Sequence, residues 1–282
     1  MKLVRYGTPG AERPGVLDAE GTIRDLGGQI PDLAPEALAP DALRRIAAID
    51  PVRLPAAAAP ARLGMPWSAA SKIVGVGLNY RDHAKEAGMT VPAEPVLFLK
   101  APSSLAGPQD DILLPPGAAK MDWEVELGVV IGSTARRVPA AQALEHVAGY
   151  CVVNDFSERA WQLERGGQWD KGKCFDTFCP VGPWLVTADE IRDPQALELW
   201  LDVDGVARQR GNTANMVFGV AELVSYISQV MTLVPGDLIV TGTPAGVAMG
   251  RKPAAWLRGG EEIRFGIAGL GEQRHRIVAG RD

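Results

Sequence analysis

Short apolar runs mark the segments that we expect to form strands, and they are concentrated from residue 72 onward. Flanking turn residues and β-branched or aromatic residues, typical of strands, occur in KIVGVGLNY, PVLFLK, WEVELGVVIG, GYCVVND, LELWLDVDG and GDLIVTG. Helical spacing of apolar residues is found in RDHAKEAG, AAQALEHV, ERAWQLE and FGVAELVSYISQVM. Because the helices are few and do not alternate strictly with the strands, the order predicts a mixed, β-rich α+β fold rather than a doubly wound sheet.

The first 66 residues differ in character from the rest. KLVRYG and GVLDAEGTIRDL predict short strands with a turn at Glu20 and Gly21, and APEALAPDALRRIAAI predicts a short helix. Residues 50–66 are rich in Pro and Ala, which is typical of a connector. We therefore predict a small N-terminal α+β domain with its connector over residues 1–66 and a larger domain over residues 67–282.

Composition narrows the class of protein without choosing a function. The 282 residues are 46% hydrophobic and 22% charged, which suits a globular protein with a sizeable core. The net charge of −5 and the lack of a basic run argue against a nucleic-acid partner. No apolar run is long enough for a membrane span, and the first residues lack the apolar core of a signal peptide. The three cysteines form no CxxC pair, so we expect a reducing, cytoplasmic location.

One predicted strand contains two carboxylates. In MDWEVELGVV, Glu124 and Glu126 are two positions apart, so their side chains would share one face of the strand. Trp123, Val125 and Leu127 would lie on the other face. Two buried carboxylates so close together repel each other, and their burial is costly unless another charge compensates them.

A third carboxylate suggests how that charge is balanced. Asp155 follows the apolar strand GYCVVND, where functional groups often collect. With Glu124 and Glu126 it would give three oxygen ligands for a hard cation such as Mg²⁺ or Mn²⁺. The alternative is that the glutamates face solvent on an edge strand and Asp155 caps a helix. The spacing alone leaves both interpretations open.

A helix that ends at Gly88 would place His83 and Glu86 on one face, three residues apart. A carboxylate that orients an imidazole makes a suitable general base. The alternative is a surface helix with incidental polar neighbours. His146 ends a helical pattern and His275 lies in a charged tail, which leaves His83 as the best candidate base among the three histidines.

Two further segments carry candidate chemistry. In QWDKGKCFDTF, Lys171 or Lys173 would bind a carboxylate or an oxyanion, or would simply be solvated. Cys174 is either an activated nucleophile or, as we favour, a small buried filler. The small residues of PGDLIVTGTPAGVAMG would hold an anion with backbone N–H groups, or would close a β-hairpin.

Taken together, six segments in this order resemble the fumarylacetoacetate hydrolase family from Lys72 to about Gly271. They are GLNYRDHAKE, EPVLFLKAPSSLAGP, DWEVELGVVIG, VAGYCVVNDFSER, GKCFDTFCPVGPWLVT and LVPGDLIVTGTPAGV. The resemblance implies a catalytic domain built on a rolled mixed β-sheet, a cation at the open end of that sheet, and usually a homodimer.

The resemblance also assigns roles by position. The metal ligands would be Glu124, Glu126 and Asp155. The catalytic residues would be His83, Glu86, Lys173 and Gln162. The substrate would be bound by Arg159 and Thr243. His83 and Glu86 would activate water, and Lys173 would lie near the reacting carbonyl. One departure is visible: Ala160 stands where many members have Asp, which would loosen the support of Arg159.

The N-terminal segment and RGGQWDKGKCFDTF resemble a bacterial subgroup often labelled ureidoglycolate lyase. Some of its members hydrolyse 2,4-diketo-3-deoxy-L-rhamnonate or -L-fuconate. The resemblance therefore implies a β-diketone hydrolase that splits a small 2,4-diketo acid into pyruvate and a hydroxy acid such as lactate. A decarboxylase, an isomerase or hydratase, and a ureidoglycolate lyase on the same metal–enolate site are the alternatives. A non-catalytic metal-binding or ligand-binding protein is a further one.

Overall fold

The structure, a computed structural model, describes residues 1–280 of the chain. Its strands are β1 (Lys2–Tyr6), β2 (Arg13–Leu17), β3 (Ile23–Asp25), β4 (Ile73–Gly77), β5 (Val96–Lys100), β6 (Leu105–Ala106), β7 (Ile112–Leu114), β8 (Met121–Asp122), β9 (Val125–Ile131), β10 (Val147–Asn154), β11 (Ser157–Glu158), β12 (Cys179–Thr187), β13 (Glu198–Val203), β14 (Val206–Asn212), β15 (Leu238–Val240), β16 (Glu262–Ile267) and β17 (Gly271–Ala279). Its α-helices are α1 (Pro40–Ala47), α2 (Arg81–Glu86), α3 (Arg159–Leu163), α4 (Asp170–Lys173) and α5 (Val220–Val230). Short 3-10 helices cover Pro35–Leu38, Pro51–Arg53, Pro102–Ser104, Ala140–His146, Ala188–Glu190 and Thr213–Asn215.

Most strands belong to two large sheets. A ten-stranded sheet has the order β3-β2-β1-β12-β10-β9-β15-β4-β5, with β6 paired to β12, and a five-stranded sheet has the order β14-β13-β16-β17-β7. Most neighbours are antiparallel, but β15 runs parallel to β4, β6 to β12 and β7 to β17. This arrangement confirms the prediction of a mixed, β-rich α+β fold.

The centre of the larger sheet is covered on both faces. Every residue of β9 and β10 is buried, which explains why their sequences are nearly continuous apolar runs. Val125, Leu127 and Val129 of β9 pack into a core shared with α5 and the five-stranded sheet. Val130, on the opposite face, packs into a second core that includes residues from the first 70 positions. Glu126, the acidic residue of β9, therefore lies inside a layered protein.

The N-terminal segment is integrated into the larger sheet. Strand β1 lies between β2 and β12, and Lys2 pairs with Val186. Beyond these strands, the Trp67 indole donates to the Gly236 carbonyl at 2.9 Å. The division of the chain at residue 66 stays a prediction.

Two local predictions differ from the structure. Ala140–His146 forms a 3-10 helix rather than an α-helix. The residue at its N-cap position is Pro139, which provides no side-chain hydrogen bond to the first turn. GDLIVTG does not form a β-hairpin with the next strand, because β15 pairs with β4 and β9, whereas the following strand, β16, belongs to the five-stranded sheet. No helix in residues 1–280 has the length and apolar character needed to cross a membrane.

Candidate active site

Three carboxylates meet where β9 begins and β10 ends. Glu124 immediately precedes β9, Glu126 lies within it, and Asp155 immediately follows β10. One carboxylate oxygen of each lies within 4.8 Å of the others, and all three side chains are buried. Trp123 lies in the core on the other side. The strand alternation thus predicts which side chains face the acidic cluster. The burial of Glu124 and Glu126 excludes the alternative that they face solvent on an edge strand.

Two buried cations bind part of this cluster. Arg159, the first residue of α3, donates from Nη2 to Glu124 Oε1 at 2.5 Å. Lys173, the last residue of α4, donates from Nζ to Glu124 Oε2 at 2.6 Å and also to Asp155. Burial alone would raise the pKa of Glu124, but the charges of Arg159 and Lys173 hold that pKa far below its usual range. Glu124 is therefore held ionised.

Lys100, which ends β5, is a buried member of the site that sequence reasoning missed. Its Nζ donates to Asp155 Oδ1 at 2.7 Å and to the backbone carbonyl of Lys173. The sequence contained a usable pattern, since Phe98 and Lys100 are two apart in β5 and both are buried. A lysine on the buried face of a strand needs a negative partner, and Asp155 provides it.

Asp122 was missed as well. It lies two positions before Glu124, so the same alternation that paired the glutamates would have included it. Its carboxylate accepts from Arg159 Nε at 2.9 Å and from the backbone N–H of Ala248 at 2.6 Å. Asp122 thus holds the Nε group of Arg159, next to the Nη2 group that binds Glu124.

Glu126 has a different electrostatic environment from Glu124. Among residues 1–280 no salt bridge reaches it, and Oε2 accepts from the backbone N–H of Gly242. Burial raises its pKa well above the usual range, and the charges of Asp155 and Glu124 raise it further. A cation at this point would remove that repulsion. The residues fit a hard divalent ion, since three carboxylates converge and each oxygen keeps a lone pair beside its present partner.

His83, the predicted general base, lines the same cavity as this cluster. His83 Nδ1 is 3.5 Å from Glu86 Oε2, a contact longer than a normal hydrogen bond. Glu86 accepts from the backbone N–H of Gly246 at 3.0 Å. Burial would raise the pKa of Glu86, but its contacts with His83, Gly246 and Arg251 together lower that pKa. Helix α2 begins after Tyr80, and Gly88 has the positive φ of 66° expected at its end.

Gln162 and Thr243 also line the cavity. Gln162 Oε1 accepts from Arg159 Nη1 at 2.9 Å, and because a guanidinium only donates, the amide orientation is fixed. The Gln162 Nε2 group is left to donate to a ligand. The Thr243 hydroxyl donates to the Val125 carbonyl at 2.9 Å and accepts from Gln209. A substrate carboxylate would therefore use the backbone at Thr243 or displace one of these bonds.

Cys174 lies beside Lys173 but is not part of the cavity lining. It is partly exposed rather than fully buried, and burial raises the pKa of its thiol. The backbone N–H of Ala101 donates to its sulfur at 3.2 Å. A raised pKa argues against an activated nucleophile.

One wall of the cavity is formed by the rings of Phe98 and Trp169, which pack against strand β4. A Cβ added to Gly75 would lie 2.2 Å from the Phe98 ring, and one added to Gly77 would lie 2.5 Å from the Trp169 ring. The two rings pack with centroids 5.9 Å apart. These glycines therefore let both rings approach the backbone of β4.

Comparison with known proteins shows the family of the chain. The sequence matches the family "Fumarylacetoacetate (FAA) hydrolase C-terminal" over residues 72–278. A protein of Burkholderia multivorans, whose name assigns it only provisionally as a hydrolase, is 59% identical over the full length of both chains.

Two of the similar solved structures match this chain over its whole length and over their own whole length. One is maleylpyruvate hydrolase from Sphingobium sp. SYK-6 in complex with manganese(II) ion and pyruvate, 32% identical with a TM-score of 0.82. The other is 5-carboxymethyl-2-hydroxymuconate delta-isomerase from Mycobacterium smegmatis, 34% identical with a TM-score of 0.78. The likeness over the whole length confirms the expected fold type. The chain belongs to the fumarylacetoacetate hydrolase family.

Proposed function

We propose that the protein is a metal-dependent hydrolase that cleaves the C3–C4 bond of a 2,4-diketo acid, giving pyruvate and a second carboxylic acid. One observation carries the proposal: an acidic cluster suited to a divalent cation lines the same cavity as His83, whose Nδ1 contacts Glu86. A base next to a cation site is what water activation and enolate stabilisation require.

Glu124, Glu126 and Asp155 would hold Mg²⁺ or Mn²⁺, since both ions accept three carboxylates. When bound, the ion would supply Lewis-acid stabilisation of negative charge on the pyruvate enolate. Manganese in the related maleylpyruvate hydrolase supports the metal requirement. The choice between the two ions is tested by the activity that each restores to metal-stripped protein.

The chain's own residues would carry the proton and the oxyanion. Glu86 faces His83 Nδ1, which leaves Nε2 to take a proton from water. The hydroxide oxygen would bond to C4, and the C4 oxygen would gain negative charge next to Lys173 and the Gln162 Nε2 group. One such donor is worth about 3–4 kcal/mol. As the C3–C4 bond breaks, its electron pair stays on C3, and the proton held by His83 returns to that carbon.

The two residues that the resemblance assigns to substrate binding, Arg159 and Thr243, differ in what they can offer a ligand. Arg159 orients Gln162 and Glu124 rather than offering a free guanidinium. Thr243 would contact the C1 carboxylate. The resemblance of the N-terminal segment and RGGQWDKGKCFDTF favours 2,4-diketo-3-deoxy-L-rhamnonate or -L-fuconate as the substrate. The family resemblance also supports a homodimer, which light scattering of the purified protein would test.

Isomerisation is the second candidate, because a structurally similar protein is a delta-isomerase. An isomerase moves protons on the substrate and needs no nucleophilic water. The His83–Glu86 pair favours hydrolysis, because the family resemblance assigns it to the activation of water. Decarboxylation of oxaloacetate and hydration would use the same enolate chemistry, and ureidoglycolate cleavage, which forms no enolate, is a further alternative at the same site.

The experiment is pyruvate release from acylpyruvates, diketo sugar acids and oxaloacetate, with metal-stripped protein and with Mg²⁺ or Mn²⁺ restored. We expect metal-dependent release from diketo acids well above the oxaloacetate control. Release from oxaloacetate alone would make the protein a decarboxylase. His83→Ala should lose at least about 100-fold in kcat while still binding metal. Full activity in that variant would exclude His83 as the base.

A further inference from the structure

The cavity changes character from its base to its mouth. Its polar lining residues, such as Glu124, Asp155 and Lys173, are buried and bonded to one another. The rest of the lining is mostly apolar: Leu78, Met89, Phe98, Leu163, Trp169 and Met249. A ligand whose head group lies at the acidic base would therefore extend along apolar side chains.

Solvent exposure gives the direction. Phe98 is only 8% exposed, whereas Leu163 is 44% and Met89 is 50% exposed. The apolar lining thus runs from the buried base to the solvent-facing rim. Apolar side chains left exposed beside a polar centre are a common feature of ligand-binding sites.

Part of this lining has little freedom to rearrange. Phe98 and Trp169 lie against the backbone of Gly75 and Gly77, so neither ring can move further towards β4. Leu78, between the strand and α2, has a φ of 55°, which is strained for a leucine. Backbone strain of this kind tends to persist at functional sites, where the surrounding packing holds it.

The cationic side chains of the cavity lining are already paired with carboxylates. Among the described residues that line the cavity, the Arg and Lys side chains are Arg159 and Lys173, and both bind carboxylates at the base. Arg165 follows α3 close to Leu163, but its guanidinium lies over the Trp161 ring, 4.0 Å from the centroid. An anionic group buried along the apolar lining, between the base and the rim, would therefore lose water without gaining a cation, which is costly.

We propose that the part of the substrate beyond C4, its tail, is uncharged and largely apolar, so that this enzyme discriminates against diketo acids with a second carboxylate. The inference rests on the proposed function for the orientation of the head group. It is compatible with the short 1-hydroxyethyl tail of the deoxyrhamnonate derivative, which presents a methyl group and a single hydroxyl. It does not fit a dicarboxylic substrate.

A matched pair of substrates tests the proposal. 2,4-Dioxo-7-methyloctanoate ends in an isopropyl group, which has nearly the shape of the terminal carboxylate of 2,4-dioxoheptanedioate. We expect kcat/KM for the isopropyl compound to exceed that for the dicarboxylate by at least about 30-fold. A smaller ratio would overturn the inference.

Leu163→Arg places a cation at the mouth. The wild-type side chain is 44% exposed, so the variant should fold. We expect the substrate ratio to fall at least about tenfold, mainly because the dicarboxylate improves. Leu144→Arg is the matched control, since Leu144 is equally exposed and lies outside the cavity lining. Its ratio should equal that of the wild type, and an equal fall in both variants would contradict the proposal.

Binding separates this inference from the proposed reaction. 2-Oxo-7-methyloctanoate and 2-oxoheptanedioate lack the C4 carbonyl and cannot be cleaved. Their dissociation constants, measured by calorimetry with Mn²⁺ present, should show the same preference. If that preference holds but neither diketo acid releases pyruvate, the proposed function fails and the tail inference stands. If the two ligands bind equally, or neither binds, the tail inference fails whatever the activity.

Discussion

On helix α3, Arg159 Nη1 donates to Gln162 Oε1 at 2.9 Å, across one turn of the helix. Because Arg159 only donates, the contact orients the buried amide so that its Nε2 group remains free for a ligand. One basic side chain thus both holds Glu124 ionised and directs the donor that we assign to the C4 oxygen.

This relationship predicts the effect of two substitutions at Gln162. Gln162→Glu keeps an acceptor for Arg159 but loses the donor, and Gln162→Met loses both. If the donor stabilises the oxyanion, kcat should fall about 100-fold in both variants, with a small change in KM. Steady-state kinetics on an active diketo acid would measure this. A large loss in the Met variant alone would show that only the Arg159 contact matters.

Lys100→Met should destabilise the protein by about 3–5 kcal/mol, because it leaves the Asp155 carboxylate buried with one cation fewer. Urea unfolding followed by tryptophan fluorescence would measure the change. Lys171→Met is the control: its ammonium is exposed and donates to a backbone carbonyl, so the change should stay within about 0.5 kcal/mol. Equal effects in the two variants would refute the structural role of Lys100.

Glu124→Gln and Glu126→Gln should change the stability of the metal-free protein in opposite directions. Glu126 has like charges as neighbours, so its neutralisation should raise Tm in the presence of a chelator. Glu124 is paired with two cations, so its neutralisation should lower Tm. Metal affinity should fall at least about 100-fold in both variants. Shifts of Tm in the same direction would contradict this electrostatic picture.

The buried imidazole of His275 predicts a loss of stability in mild acid. Burial lowers its pKa from 6.5 to about 4, although the Asp110 carbonyl that contacts Nδ1 at 2.7 Å opposes the shift. Between these two values the unfolded chain binds a proton that the folded protein does not. The contribution of His275 is therefore complete above pH 6.5 and decreases as the pH falls towards 4.

From pH 7 to pH 5 this group should cost about 2 kcal/mol of unfolding free energy. Urea unfolding of the wild type and of His275→Gln at both pH values would measure the difference, since glutamine is polar but does not titrate. The variant should lose less stability than the wild type by that amount. Equal losses would mean that His275 does not titrate in this range.

Local periodicity predicted much of the acidic cluster. The two-residue repeat placed Glu124 and Glu126 on one face, and the three-residue spacing placed His83 beside Glu86 on α2. The same repeat would have found Asp122 and Lys100, but isolated charges in an apolar strand have no evident purpose until their partners are known. Their partners, Arg159 and Asp155, lie 37 and 55 positions away, and no local pattern gives such a distance.

The apolar part of the cavity was less predictable. Phe98 lies in β5, Met89 follows α2 and Trp169 precedes α4, so the three residues line one cavity only through tertiary packing. Sequence reasoning also gave Ala140–His146 an α-helix, because alanine-rich periodicity favours one. The structure has 3-10 turns there, between Pro139 and the start of β10, which shows tertiary context overriding propensity.

The pairing of β1 with β12 has a consequence for biosynthesis. Lys2 and Val186 are 184 positions apart, so the first strand leaves the ribosome long before its partner exists. At roughly 5–20 residues per second, the interval is on the order of ten to forty seconds. The N-terminal strands must remain unaggregated as a local unit during that time, and closure of the larger sheet becomes a late, high-contact-order event.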